Sequence, residues 1–537
     1  MLIRLEKMKL NLSSYNKKKL FIPLLLLAVF LCMCVFMYII NPVYAEMQEI
    51  YFYDLNGNRM TGSYIEGTKG EGAILVADKG QDMSYYLNMA QALNKQGYSV
   101  MIYDLPGQGR SQGAYTTSFY EDNSAAMQVY SAMLAFSQLC SLPPANIHYI
   151  GHGFGARAVL QACAVDYIKP VSITLINPEI NFSSTIFERL PILADDTKLA
   201  WIENLTNNIS GIDVHIINTA AEKKIGSQLE EILGANNSTT LTDESVIIEP
   251  YAPLSSKIID DVVSHLCQVS AWTYNTANSI NIIYNIMLLL MLAFIFIFAV
   301  ACKKAFESYE SNFDIYKTNL SMKFYLYKLL FWVPAFAVGA LGFAFAFLIP
   351  IDYPIQSALI TFIFGAYGAV MIFVYVYSNF AKDAGAGMFK DEERTNWLSG
   401  VFVFIIFIII LKMFGHFGLY YMFPFAQRWI WFILFSIFNS LTFLVADREF
   451  TVLYPNRISK IKIILCGILP FILFALIFFL LGIPAMAITL FTAAIWIVLV
   501  ILFGRILEEL KIQIFIAAFL QGILFTMLLL SSGIMIA

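Results

Sequence analysis

The stretch Ile147-His148-Tyr149-Ile150-Gly151-His152-Gly153-Phe154-Gly155-Ala156 decides the fold. A short apolar run that ends in Gly-His-Gly-Phe-Gly and passes directly into helix-forming residues reads as strand, sharp turn and helix. A turn this tight puts its central residue, Gly153, in a backbone region that costs a residue with a side chain about 1 to 3 kcal/mol. Glycine enters that region freely.

On both sides of this stretch, strands and helices alternate. Ile50 to Tyr53 and Met60 to Ile65 form a hairpin around Asn56-Gly57. Strands follow at Ala73 to Ala77 and Ser99 to Tyr103, with a helix from Met83 to Gln96 between them that Gly97 stops. A helix from Asn123 to Leu139 leads to the quoted strand, and the next helix runs through Cys163. Strands at Val171 to Ile176, Val214 to Ile217 and, last, Val246 to Ile248 alternate with helices at Ile225 to Leu233 and Ser255 to Leu266. This rhythm predicts a mainly parallel sheet with helices on both faces.

Two motifs carry a resemblance. Gly151-His152-Gly153-Phe154-Gly155 is similar to the G-x-S-x-G nucleophile elbow of the α/β-hydrolase superfamily. Asp104-Leu105-Pro106-Gly107-Gln108-Gly109-Arg110-Ser111 resembles the D-x-x-G-x-G-x-S segment after that family's fourth strand. The chain looks closest to the lysophospholipase or serine-aminopeptidase branch. The resemblance implies a short lid between Asn177-Pro178 and about Gly211, and a triad in the order Ser, Asp or Glu, His.

The triad does not read through. The elbow exists to present a nucleophile beside an oxyanion hole, and Gly153 has no side chain to present. The acid position falls on Glu222, a candidate relic, which also reads as an ordinary solvated helix start beside Lys223 and Lys224. Where the resemblance places the histidine, Glu249-Pro250-Tyr251-Ala252-Pro253-Leu254 holds no imidazole. His148, His152, His215 and His265 all read as structural, and Ser84 and Ser111 do not occupy positions aimed at the pocket. Asp78-Lys79-Gly80-Gln81 replaces the His-Gly of many relatives, although its backbone N–H groups could still form an oxyanion hole. The expectation is therefore no catalytic residue, and a ligand pocket made of Asp78, Lys79, Gly80, Gln81, His152, Gly153 and Phe154.

The 537 residues are 59% hydrophobic and 13% charged, too apolar for a soluble protein. The formal net charge of -4 gives no reason to expect nucleic acid, and the seven cysteines show no metal-ligand or disulfide pattern. Residues 1–19 are basic and precede an apolar anchor at 20–40, which places the N-terminus in the cytoplasm. Residues 47–268 have the composition of a globular domain. Residues 280–537 hold eight apolar runs, near 280–301, 325–349, 355–378, 398–420, 429–446, 463–482, 484–503 and 512–535. Thirteen Lys and Arg fall on one set of loops and two, Lys412 and Arg428, on the other. That asymmetry puts the globular domain and the C-terminus outside the cytoplasm, with nine spans in all.

Ionisable groups at membrane depth look scarce. Lys412 and His416 lie near a span's outer end, and Gln356, Asn439 and Gln521 read as packing residues. The sequence thus predicts an α/β-hydrolase-like domain outside the membrane joined to an all-α polytopic domain, in a bacterial plasma membrane. Its expected role is silent binding or sensing of a lipid, peptide or envelope component, with membrane lipid as a partner and no cofactor or metal. The alternatives are an active serine-type hydrolase, and transport or lipid handling through the spans.

Overall fold

The computed structural model describes residues 17–40, 47–113, 124–165, 169–179, 209–219, 223–235, 237–244, 249–274, 282–306, 320–346, 353–377, 397–418, 428–453, 455–480, 484–530 and 535–536. The chain forms two units, one chiefly residues 40–283 and one made of the first helix with most of the chain from residue 284 onward. That first helix, α1 (Lys17–Ile40), is apolar on all sides.

The α/β unit begins with β1 (Gln48–Tyr53) and β2 (Arg59–Ile65), the expected hairpin. Its turn is held by Asp54, whose carboxylate accepts from the N–H groups of Asn56 and Asn58 at 2.9 and 2.8 Å. Then come β3 (Gly72–Val76), a short 3₁₀ turn at Met83–Tyr86, α2 (Leu87–Lys95) and β4 (Ser99–Tyr103). The second half runs α3 (Ser124–Cys140), β5 (Ile147–His152), α4 (Phe154–Val165), β6 (Ser172–Ile176), β7 (Asp213–Thr219), α5 (Lys223–Gly234), β8 (Ser238–Glu244) and α6 (Ser256–Val269).

The sheet order is β1-β2-β4-β3-β5-β6-β7-β8, antiparallel at β1/β2 and β2/β4 and parallel from there on. Strands β3 to β6 are buried along their whole length, which is why their sequences read as continuous apolar runs. Ile74, Val76, Met101 and Tyr149 join one core with α3, α4 and α5. The alternate residues Ala73, Leu75, Val100 and Ile102 are equally buried and by strand alternation face the other way, where α2 and α6 pack together.

One strand lies elsewhere than expected. Among the described residues the last strand of this sheet is Ser238–Glu244, while Val246 to Ile248 fall outside the described residues. β8 is an edge strand, needs no apolar run on both faces, and is built from threonines whose β-branching suits a pleat.

In the helical unit, α7 (Ile282–Phe306), α8 (Met322–Leu330), α9 (Trp332–Ala346), α10 (Ile355–Tyr377), α11 (Trp397–Gly418), α12 (Arg428–Val452), α13 (Arg457–Leu480), α14 (Pro484–Glu509) and α15 (Ile514–Leu530) follow in order. Among the described residues eight helical segments are long and apolar enough to cross a membrane, counting α1 and the α8–α9 pair as one each, and α15 is a shorter apolar helix of 17 residues. The run expected at 325–349 is broken at Phe331, where Pro334 offers no N–H to the carbonyl of Leu330. The run expected to end at 446 continues to Val452 and carries Asp447, Arg448 and Glu449 inside the helix, all buried. The scarcity of ionisable groups expected for this half is thereby corrected. Lys328 on α8, itself buried, pairs with Glu449 at 2.6 and 2.7 Å.

Backbone meets backbone at the start of α4, where a Cβ built on Gly155 would collide with the carbonyl oxygens of Val76 and Ala77. Gly155→Val should therefore lower stability by about 3 kcal/mol, a fall of about 6 to 12 °C in the unit's melting temperature. Calorimetry of the full chain in detergent checks this, and an unchanged transition would contradict the packing.

Candidate functional site

The elbow forms as the sequence predicts. β5 ends at His152, α4 begins at Phe154, and Gly153 between them has φ +53°. Its N–H donates to Ile176 O at 2.9 Å, and its carbonyl accepts from Glu179 N at 3.0 Å. The turn is thus held between β5 and the chain that follows β6.

What stands over the elbow is Asp78. A Cβ built on Gly153 would run into the Asp78 carboxylate, so that carboxylate fills the space an elbow side chain would enter. Its Oδ1 accepts from the N–H of Phe154 at 2.8 Å. The Lys79 N–H also stabilises the same carboxylate. Phe154 follows the elbow residue, and Lys79 lies in the loop after β3. In an α/β hydrolase, N–H groups from these two places make the oxyanion hole. Here the first is taken by an anion that the chain itself supplies, and the second favours that anion's charged form.

The surrounding groups fix Asp78 in place. Its N–H donates to Tyr86 Oη at 2.9 Å, and Tyr86 in turn donates to Gln81 Oε1 at 2.6 Å. His152 Nδ1 lies 2.8 Å from Tyr86 Oη and 3.2 Å from Gln81 Oε1. The assignment that satisfies all three places the proton on Nδ1, with His152 donating toward Tyr86. Lys79 pairs with Glu179 beside the elbow. Of the expected pocket residues, Asp78, Lys79, Gln81, His152, Gly153 and Phe154 are brought together, and Gly80 supplies a turn at φ +82°.

The other candidates lie apart. Ser111 Oγ donates to Asp104 O at 2.6 Å and accepts from Thr61 N at 2.9 Å, so it closes the second motif's turn. Asp104 organises that turn by accepting from Met83 N and Arg110 N at 2.7 and 2.9 Å, and a side chain on Gly109 would strike it. Ser84 hydrogen-bonds Asp82 at the start of the 3₁₀ turn. Glu222 and most of the expected lid fall outside the described residues.

Three of the five histidines in the chain gather at the opposite end of the strands. His148 Nδ1 lies 2.7 Å from Ser172 Oγ, and its Nε2 lies 3.1 Å from Glu71, which also accepts from Ser270. His215 and His265 pair with Asp261 and Asp213 at 3.3 and 3.1 Å. The Ser172–His148–Glu71 line has the residue types of a triad, and the sequence reading missed it. His148 and Ser172 are fully buried at strand starts, and His148 is five residues, roughly 16 Å of strand, from Gly153. The hydrogen bond from His148 holds the Glu71 carboxyl below its ordinary range, and burial drives His265 down to about 3.

The unit has the α/β-hydrolase fold, and residues 79–211 match the family model described as alpha/beta hydrolase fold. Similar solved structures include DcsB in complex with a substrate analogue, at 14% identity over 42% of this chain and 98% of that one, TM-score 0.34. An esterase of Pyrococcus furiosus is 17% identical over 43% of this chain and 94% of its own, TM-score 0.34. A predicted CIB-like hydrolase of Thermoplasma acidophilum is 15% identical over 41% and 98%, TM-score 0.32. No curated protein matches the chain.

Burial pushes the Asp78 carboxyl up to about 6, against the downward pull of the Lys79 charge; Glu179 raises it further, and the Phe154 and Lys79 N–H groups lower it. The folded chain keeps this proton at pH values where an unfolded aspartate, with a pKa of about 3.9, has lost it. Stability therefore falls as pH rises from about 4 to about 6, and above that window the full penalty, on the order of 2 to 3 kcal/mol, is present. Asp78→Asn should raise the melting temperature at pH 7.5 and leave it nearly unchanged at pH 4. A variant less stable than wild type at pH 7.5 would contradict the assignment.

Proposed function

We infer that the α/β unit is a catalytically silent binding module of a multi-pass membrane protein. The observation that carries this reading is the Asp78 carboxylate, which stands in the elbow residue's space and takes the N–H donors of Phe154 and Lys79. A substrate carbonyl polarised at those donors would have to displace a buried anion, and Gly153 has nothing with which to attack it. The ligand is an extracytoplasmic lipid, peptide or envelope component, met at the part-exposed Lys79–Glu179 pair beside the Asp78-filled elbow. Supporting the membrane reading are the eight apolar helical segments and the asymmetry of the charges along the sequence between and at the ends of them. They favour a cytoplasmic N-terminus, nine spans with α15 included, and the binding unit and C-terminus outside.

A fluorophosphonate probe should leave the α/β unit unlabelled under conditions that label a serine esterase fully. Gly153→Ser should hydrolyse p-nitrophenyl esters no faster than wild type, because the new hydroxyl meets Asp78 rather than an imidazole. Covalent labelling of the wild-type unit, or turnover by the serine variant, would sink the silent reading.

A further inference from the structure

The helical unit holds a second set of groups that the binding reading does not use. Lys328 and Glu449 are both buried, at 3% and 0% exposure, and are joined by two hydrogen bonds. Tyr375 on α10 donates to Glu449 Oε1 at 2.9 Å, and the Lys328 ammonium lies 5.5 Å from the Tyr367 ring centre. Breaking water's hold on two charges costs more than the pair recovers unless the geometry is excellent, and apolar residues of similar size pack as well or better. Ionisable groups retained inside a membrane bundle mark a functional path by default.

These charges lie at one end of a longer series. Buried polar side chains recur on α12 at Arg428, Ser436, Asn439, Thr442, Asp447 and Glu449. The interval from 428 to 449 is 21 residues, about 32 Å of helix, close to the roughly 30 Å of a bilayer's hydrocarbon core. At one end Arg428 donates to Leu530 O at 2.6 Å. Midway, Asn439 Nδ2 donates to Thr526 Oγ1 at 2.9 Å and to Thr361 Oγ1 at 3.4 Å. Further on, Gln521 of α15 donates to Asp447.

Two oxygens in this series have no donor among the described residues, Asn439 Oδ1 and Gln521 Oε1, and both residues are fully buried. Buried acceptors are nearly always satisfied, by protein or by ordered water. A water at each would add a hydrogen-bonded step beside Asn439 and beside Gln521 and Asp447, while Glu449, two residues on, leaves α12 on another side toward Lys328 and Tyr375. The charged and titratable groups facing Glu449 are Lys328 from α8, Tyr367 and Tyr375 from α10 and Cys466 from α13; Asp447 and Arg448 adjoin it along α12 but leave the helix on other sides, and from α14 Arg505 lies 5.0 Å from the ring of the adjacent Phe450.

We propose that the helical unit conducts protons across the membrane along α12, with Glu449 as the protonatable station and Lys328 as its counter-ion. A proton added to Glu449 from water on one side leaves Lys328 transiently without its anion. It is released by hopping through the waters and hydroxyls at Gln521 and Asn439 to the other side. No bond other than O–H and N–H forms or breaks, and no oxidant or reductant is involved. The proposal rests on α12 crossing a bilayer and is independent of whether the α/β unit is silent.

The test is the full chain in lipid vesicles loaded with a pH-sensitive dye, with a potassium gradient and valinomycin setting the potential. Wild type should change internal pH at least tenfold faster than protein-free vesicles, and Glu449→Gln should remove most of that increment. Lys412→Gln, on α11 away from this series, should leave it unchanged. Should Glu449→Gln fail to fold, Gln521→Leu, which removes no charge, should slow the flux at least fivefold. Wild-type vesicles as tight as empty ones, or undiminished flux in a folded Glu449→Gln or Gln521→Leu protein, would overturn the proposal and leave these groups as interhelical packing.

Discussion

A single carboxylate, that of Asp78, determines what the elbow can do. Residue 153 and residue 78 compete for one volume, and the chain gives it to the aspartate by having no side chain at the turn. The arrangement is self-consistent in electrostatic terms. Two N–H groups that would otherwise be buried donors with nothing to bind are satisfied internally, and the carboxylate gains partners that offset part of its desolvation. Changing either residue alone breaks this balance, because a serine at 153 meets the carboxylate and a residue without an acceptor at 78 leaves the donors open.

The architecture beneath the site was largely legible. Continuous apolar strands, helices between them and glycines at tight turns gave the parallel sheet, and the absence of a hydroxyl at Gly153 could be read directly. Where Asp78 points could not. Its presence in the loop after β3 was visible, but an acid beside a vacated elbow becomes informative only when both are seen to share one space. β8 escaped because an edge strand rich in threonine carries no apolar signature.

In the helical unit the hydrophobic pattern found the helices and misplaced their charges. The run of apolar residues ends where Asp447 begins, although the helix continues, because a buried acid with a buried partner is indistinguishable in sequence from one at a loop. The partner of Glu449 is Lys328, 121 residues away. Likewise the break at Phe331 that separates α8 from α9 is a local consequence of Pro334, which the apolar pattern of a single run does not reveal.

The most direct measurement of the central claim is an NMR titration of the Phe154 amide proton in selectively labelled full-length protein. The account predicts a strongly downfield resonance whose shift follows the Asp78 carboxyl with a midpoint near pH 6, and which loses that titration in Asp78→Asn. An amide at an ordinary shift with no transition between pH 4 and 8 would mean that the donor is open, and the occupied-site account would be wrong.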